Sequence, residues 1–270
     1  MLNDIKFLCQ KYNLLPKSWK GQNFLIDNKI LDKIIEAADL KKDDLILEVG
    51  PGFGILTQAL AKRVKKVMAV EIDKNIIRAL KDILKDYKDV EIIEGDILKL
   101  TYNQQLITHN FKIVANIPYS ITGNFLRKFL ENKIKPEEMV LLVQKEVAER
   151  IAARPGKMSL LSVAVQFYSQ PEIISLVSKK SFYPEPKVDS AIIRLKIKSQ
   201  ESRIDEKVFF KIVKIGFSNR RKQLHNNLAT GLKMNNEEIK EIFKKLNFNP
   251  KIRAQDLSVE DWIRLSEKLK

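Results

Sequence analysis

From Asp44 to Ile197 the chain alternates short apolar runs with longer amphipathic stretches, and that rhythm admits few folds. Parallel strands need crossover connections, usually helices, and strands covered on both faces read as continuous apolar runs. Strand-like runs fall at 45–49, 67–71, 90–94, 113–116, 139–144, 163–168 and 191–196. Helical periodicity fills 56–63, 74–85 and 121–131 between them. The expectation is an α/β domain over 1–200 with a doubly wound, seven-stranded Rossmann-like sheet, opening with a basic, partly helical lead-in at 1–40. Beyond Glu201 the strand signal stops and helical patterns occupy 205–216, 220–230, 237–246 and 258–269. Ser258 and Asp261 are spaced as a capping box at the start of the last of these. A boundary near 199–202 therefore sets off a small all-helical domain at 201–270.

Composition closes off several classes. Cys9 is the only cysteine and His109 and His225 the only histidines, so an internal disulfide, a cysteine zinc site, an iron–sulfur cluster and a multi-histidine metal site are excluded. No apolar run reaches the roughly 18–20 residues of a membrane span. The first 25 residues carry Asp4, Lys6, Lys11, Lys17 and Lys20 without an apolar core, unlike a secretory signal. The expectation is a metal-free, cytoplasmic monomer with no membrane partner. A formal charge of +15 fits either a polyanionic partner or a well-solvated surface. Its distribution favours the polyanion: no acid lies between Glu206 and Glu237, while Lys207, Lys211, Lys214, Arg220, Arg221, Lys222 and Lys233 do.

The chemistry-bearing residues sit at strand ends. Glu48-Val49-Gly50-Pro51-Gly52-Phe53-Gly54 follows the first strand, where glycines let the backbone approach a ligand at a helix N-terminus. Its spacing departs from the dinucleotide fingerprint, which wants glycine where Ile55 stands. Glu71 closes the second strand, placed for a ribose diol; Asp96, with Ile97 beside it, follows the third, placed for an adenine amine that Ile72 and Ile97 would sandwich. Asn116-Ile117-Pro118-Tyr119 ends the fourth strand, next to the first in a doubly wound sheet. The Asn116 amide and the Ile117 carbonyl accept hydrogen bonds, Pro118 stiffens the turn and Tyr119 offers a stacking face, which together suit a purine amine. Read singly, each of these also fits an ordinary turn.

Taken in order, Gln22-Asn23-Phe24-Leu25, Glu48 to Gly54, Glu71, Gly95-Asp96, Asn116 to Tyr119 and Phe182 to Ser190 resemble the ribosomal RNA adenine N6-methyltransferases, from about Lys17 to the C-terminus. Val188-Asp189-Ser190-Ala191 and the run 217–228 resemble the branch acting on small-subunit RNA more than the erythromycin-resistance branch, which targets large-subunit RNA. One departure stands out: Lys157-Met158 replaces a tyrosine-containing pair before Leu-Ser. The resemblance implies S-adenosylmethionine as cofactor. Gln22, Asn23 and Leu25 would close over its methionine end, Gly50, Gly52 and Gly54 would cradle it, and Glu71, Ile72, Asp96 and Ile97 would hold its nucleoside. Asn116 and Ile117 would receive the target amine, with Tyr119 and Phe182 stacking on the extruded base. It further implies N6,N6-dimethylation of two adjacent adenosines in a 3′-end hairpin loop of small-subunit ribosomal RNA within an assembling subunit, with Arg220, Arg221 and Lys222 on the RNA. Asn-x-Pro-Tyr is shared with DNA adenine methyltransferases, and an assembly factor with secondary catalysis is a further reading of the basic patch.

Overall fold

The computed structural model describes residues 1–16, 21–100, 111–199 and 204–269. Its helices are α1 (Leu2–Lys11), α2 (Asn28–Ala37), α3 (Ile55–Ala61), α4 (Lys74–Ile83), α5 (Thr122–Leu130), α6 (Lys145–Ile151), α7 (Leu160–Tyr168), α8 (Glu206–Gly216), α9 (Leu224–Leu232), α10 (Asn236–Lys245) and α11 (Val259–Lys268). Its strands are β1 (Phe24–Leu25), β2 (Leu45–Val49), β3 (Lys66–Glu71), β4 (Val90–Glu94), β5 (Phe111–Asn116), β6 (Glu138–Gln144), β7 (Ser169–Val177), β8 (Phe182–Tyr183) and β9 (Ser190–Ile197). Short polar side chains set the helix starts by accepting orphan backbone amides. Asp27, Asp73, Asp205 and Asn235 do so for α2, α4, α8 and α10, and Ser258 with Asp261 forms the expected capping box of α11.

Seven strands form one sheet in the order β4-β3-β2-β5-β6-β9-β7. The β4-β3-β2-β5-β6 pairs are parallel and β6 pairs antiparallel with β9. The central strands are buried almost throughout, as helices on both faces require. One face packs Ile46, Val114, Val140, Leu142 and Ile192 against Ile30 and Ile34 of α2 and Leu56 and Leu60 of α3. A second cluster joins Ile5 and Cys9 of α1 to Phe24, Phe53 and the α4 residues Ile76, Ala79 and Leu80. Reversal of strand order between β2 and β5 opens the crevice where such sheets bind ligands.

Two expectations need correction. Residues 163–168 form the end of α7, not a strand, and the strand is β7 immediately after it. A short, mostly apolar run broken only by Gln166 satisfies either period; here the Ser159–Ser162 capping box decides for helix. The boundary moves as well. One compact unit comprises Met1–Ala148 and Gln170–Ile197, the other Glu149–Ser169 and Lys198–Lys270, so α7 goes with the C-terminal helices rather than with an uninterrupted 1–200 domain. Aromatic packing explains this: Phe167 stacks on Phe209 of α8 with ring centroids 4.4 Å apart, and the Tyr168 hydroxyl donates to Glu206 at 2.7 Å. Among the described residues no helix is long and apolar enough to cross a membrane.

Candidate active site

The turn from β2 into α3 holds Gly50, Gly52 and Gly54 at φ of +67°, +58° and +76°. At Gly52 a side chain would be both strained and blocked, because its Cβ would lie 2.9 Å from the Phe24 ring. Phe24 belongs to a strap, residues 21–25, laid across this turn. Gly21 makes a similarly close approach: a Cβ there would sit 2.7 Å from that of Pro118. The strap is fastened at three points. Gln22 Nε2 donates to Asp73 Oδ2 at 3.1 Å, Asn116 Nδ2 donates to the Asn23 carbonyl at 3.1 Å, and β1 pairs antiparallel with β8.

Beneath the strap lies a cavity of about 650 Å³ lined by all three glycines, Glu48, Glu71, Ile72, Asp96, Ile97 and Asn116. Strand-end acids are prepared for a ligand. Glu71 Oε1 accepts from the amides of Ile72 and Asp73 at 2.8 and 2.9 Å, which fixes the carboxylate while burial pushes its pKa upward. Asp96 Oδ1 accepts from Leu98 N at 2.9 Å. The turn after Asp96 is held by Lys128 of α5, whose Nζ donates to the carbonyls of Leu98 and Leu100. Burial lowers the Lys128 pKa, against the pull of Asp96.

Glu48 is 1% exposed, and burial lifts its pKa to about 8, with Thr57 pulling down and Glu71 pushing further up. Its Oε2 and the Oδ1 of Asn23 are buried without a hydrogen-bond partner, and both residues line the cavity. Orphaned buried polar atoms cost about 1–3 kcal/mol each, so they signal a missing polar partner. Ribose hydroxyls, an adenine amine and an α-ammonium group are such partners. The cavity therefore fits S-adenosylmethionine.

Asn116 lines the cavity and donates one amide hydrogen to the strap, so its Nδ2 is tied to the Asn23 carbonyl. Tyr119 follows in a 3-10 turn, half-buried, with its hydroxyl 2.7 Å from Ser190 Oγ. Phe182 requires correction: at 2% exposure its ring has no free face and packs with Leu25, Ile30 and Ile34. Pairing with β1 sends Phe182 inward, while Tyr183 lies under Lys6 of α1, 5.6 Å from Nζ to ring centroid.

In the other unit, Arg220, Arg221 and Lys222 occupy the turn between α8 and α9, not the start of a helix, and all three are exposed. Buried Asn227 shapes this turn by donating to the carbonyls of Gly216 and Asn219. His225 is buried, bonded to Asn236 at 2.6 Å and Gln223 at 2.8 Å; His109 lies outside the described residues. Sequence reading assigned no role to Asp73, Lys128 or Ser190, the last although it closes a motif. Asp73 was open to detection as an N-cap two residues past Glu71, whereas the other two act across the fold.

A cavity of this chemistry at the switch point of a Rossmann-like sheet makes the chain an S-adenosylmethionine-dependent methyltransferase. Known proteins narrow that class. The family described as ribosomal RNA adenine dimethylase matches residues 16–270. The ribosomal RNA small subunit methyltransferase A of Dehalococcoides mccartyi is 43% identical over 269 residues, 98% of this chain and 92% of that one. Among solved structures, a dimethyladenosine transferase from Plasmodium falciparum superposes with a TM-score of 0.77 at 29% identity, covering 90% of this chain and 95% of that one. The 23S rRNA methyltransferase ErmE gives 0.76 at 28% identity, covering 92% and 99%. This chain belongs to the ribosomal RNA adenine dimethylase family.

Proposed function

We propose that this enzyme dimethylates N6 of two adjacent adenosines in a 3′-end hairpin loop of small-subunit ribosomal RNA, as a cytoplasmic monomer acting on an assembling subunit. The observation that carries the reading is Asn116, which lines the cavity with its Nδ2 held by the Asn23 carbonyl at 3.1 Å. Choice of the small subunit is supported by the name of the 43% identical relative; the two superposing structures, with TM-scores of 0.77 and 0.76, do not discriminate between target RNAs.

The division of labour follows from chemistry. Bound S-adenosylmethionine supplies a methyl group already activated on a sulfonium. Glu71 takes the ribose hydroxyls through its second oxygen, Asp96 takes the adenine amine, and Ile72 and Ile97 flank that ring. Gln22, Asn23 and Leu25 cover the methionine end, beside Glu48. An adenine N6 is a poor nucleophile because its lone pair is delocalised into the ring. Hydrogen bonds from N6–H to Asn116 Oδ1 and the Ile117 carbonyl favour a pyramidal nitrogen with its lone pair aimed at the donor. An amide does this without a charge that varies with pH. Alignment of this kind supplies up to ~7–11 kcal/mol of a barrier. Extruding a base costs a few kcal/mol, and stacking on Tyr119 recovers about 1–3 kcal/mol.

The test is transfer of a labelled methyl group to small subunits lacking the modification, followed by mass spectrometry of the nucleosides. Dimethyladenosine is expected, and Asn116→Ala should lower kcat at least about 100-fold, a loss larger than any weakening of S-adenosylhomocysteine binding from the lost strap bond to Asn23, which calorimetry measures separately. Label on another base, on duplex DNA in preference to subunits, or full activity of the variant would overturn the assignment.

A further inference from the structure

Tyr119 and Ser190 belong to two motifs that lie 71 positions apart, yet their hydroxyls meet at 2.7 Å. Ser190 is fully buried at the first position of β9, in register with Gln144 at the end of β6. Its neighbour Asp189 fixes the approach to that position: the Asp189 carbonyl accepts from Lys145 N at 3.0 Å, and Asp189 Oδ1 accepts from Lys179 N at 3.0 Å. Ser190 is therefore an immobile anchor. The other end of the tyrosine is fastened too, since Thr122 Oγ1 donates to the Tyr119 carbonyl at 3.2 Å and Pro118 restricts the backbone before it. A half-exposed ring held only by its backbone samples several rotamers; one moored at the para oxygen keeps a single plane.

We propose that Ser190 is a positioning residue that sets the plane of the Tyr119 ring for the target base. This rests on the reading above that Tyr119 stacks on an extruded adenine. The tyrosine hydroxyl then serves as a mooring, not as an acid or base, which explains why a phenol stands where a phenyl ring would stack equally well. Burial raises the Tyr119 pKa, so the hydroxyl keeps its proton for the bond to Ser190 at neutral pH.

The experiment is a double-mutant cycle with Tyr119→Phe and Ser190→Ala on the full chain, assayed with unmodified small subunits. Each change removes the same bond, so each should lower kcat/KM for RNA about three- to tenfold, the size of one hydrogen bond. The double variant should lie within about twofold of the worse single one. Ser190→Thr should restore most of the rate, and S-adenosylhomocysteine affinity should stay constant across the set, which a general loosening of the fold would not allow. Multiplying losses in the double variant, singles as active as the parent, or losses matched by weaker cofactor-product binding would each overturn the role of Ser190. Tyr119→Ala separates the two readings. If it is inactive while Tyr119→Phe and Ser190→Ala are fully active, the mooring alone fails; if it is fully active, stacking by Tyr119 fails as well.

Discussion

Glu48 holds a proton at neutral pH because its carboxyl is sealed inside the cavity, with a pKa lifted from 4.5 to about 8. The folded protein therefore binds more protons than the unfolded chain between those two values. By linkage its stability falls as pH rises from about 4.5 to 8 and levels off above. Glu71, also raised, acts with the same sign. Glu48→Gln keeps the shape and removes the titration. In the absence of cofactor, the parent melting temperature should drop between pH 5 and pH 8 by several degrees more than that of Glu48→Gln; parallel curves would contradict this origin. Glu71, Asp96 and Asn116 were legible in the sequence because a doubly wound sheet brings its strand ends to one crevice, so order along the chain translates into place. Phe182 was not. An aromatic ring before Pro-x-Pro is equally suited to a presenting loop or a core, and only its partnership with Leu25, 157 positions away, turns it inward.

Most of the longer elements were readable to within a few residues, the nine-residue β7 excepted, and the failures have physical causes. β1 and β8 are two residues each, too short to show a period, and exist because they pair with each other. The end of α7 was misread because only Gln166 interrupts its apolar run; Ser159 at the N-cap and Ser162 in the first turn were the available clue. The Lys157-Met158 departure sits just ahead of that cap: Met158 is fully buried, and its amide donates to the Gln255 carbonyl at 3.1 Å. The most consequential short element is α1, which precedes the family match at residues 16–270. Ile5, 1% exposed, lines the cavity and packs in the cluster with Phe24 and Phe53, and the Tyr12 hydroxyl that follows the helix donates to Asp82 at 3.0 Å. Because Phe24 is the strap residue that lies on Gly52, α1 backs the glycine turn. Ile5→Ala should cost about 2–4 kcal/mol of stability. It should also weaken S-adenosylhomocysteine binding about three- to tenfold by calorimetry, with Ile5→Val near the parent. Unchanged binding in a destabilised variant would confine α1 to a structural part.

At the scale of the whole molecule the fold does not choose the RNA, as the nearly equal superpositions on a dimethyladenosine transferase and on ErmE make plain. What the chain adds is charge. A formal +15 over 270 residues gives long-range attraction for any polyanion, and the exposed turn Arg220-Arg221-Lys222, shaped from beneath by Asn227, concentrates it. Cationic side chains on phosphates act through counterion release and carry little base information. Replacing all three with alanine should therefore weaken RNA binding more at 50 mM than at 200 mM salt. The slope of log affinity against log salt should fall by about two to three, roughly one for each phosphate no longer neutralised. Methyl transfer by the bound variant should retain its preference for adenosine, and cofactor-product affinity should not change, because the cavity is built from other residues. A filter-binding titration across that salt range decides the matter. An unchanged slope would remove these three residues from the RNA surface, while a lowered slope with altered base preference would mean that the turn reads sequence as well as charge.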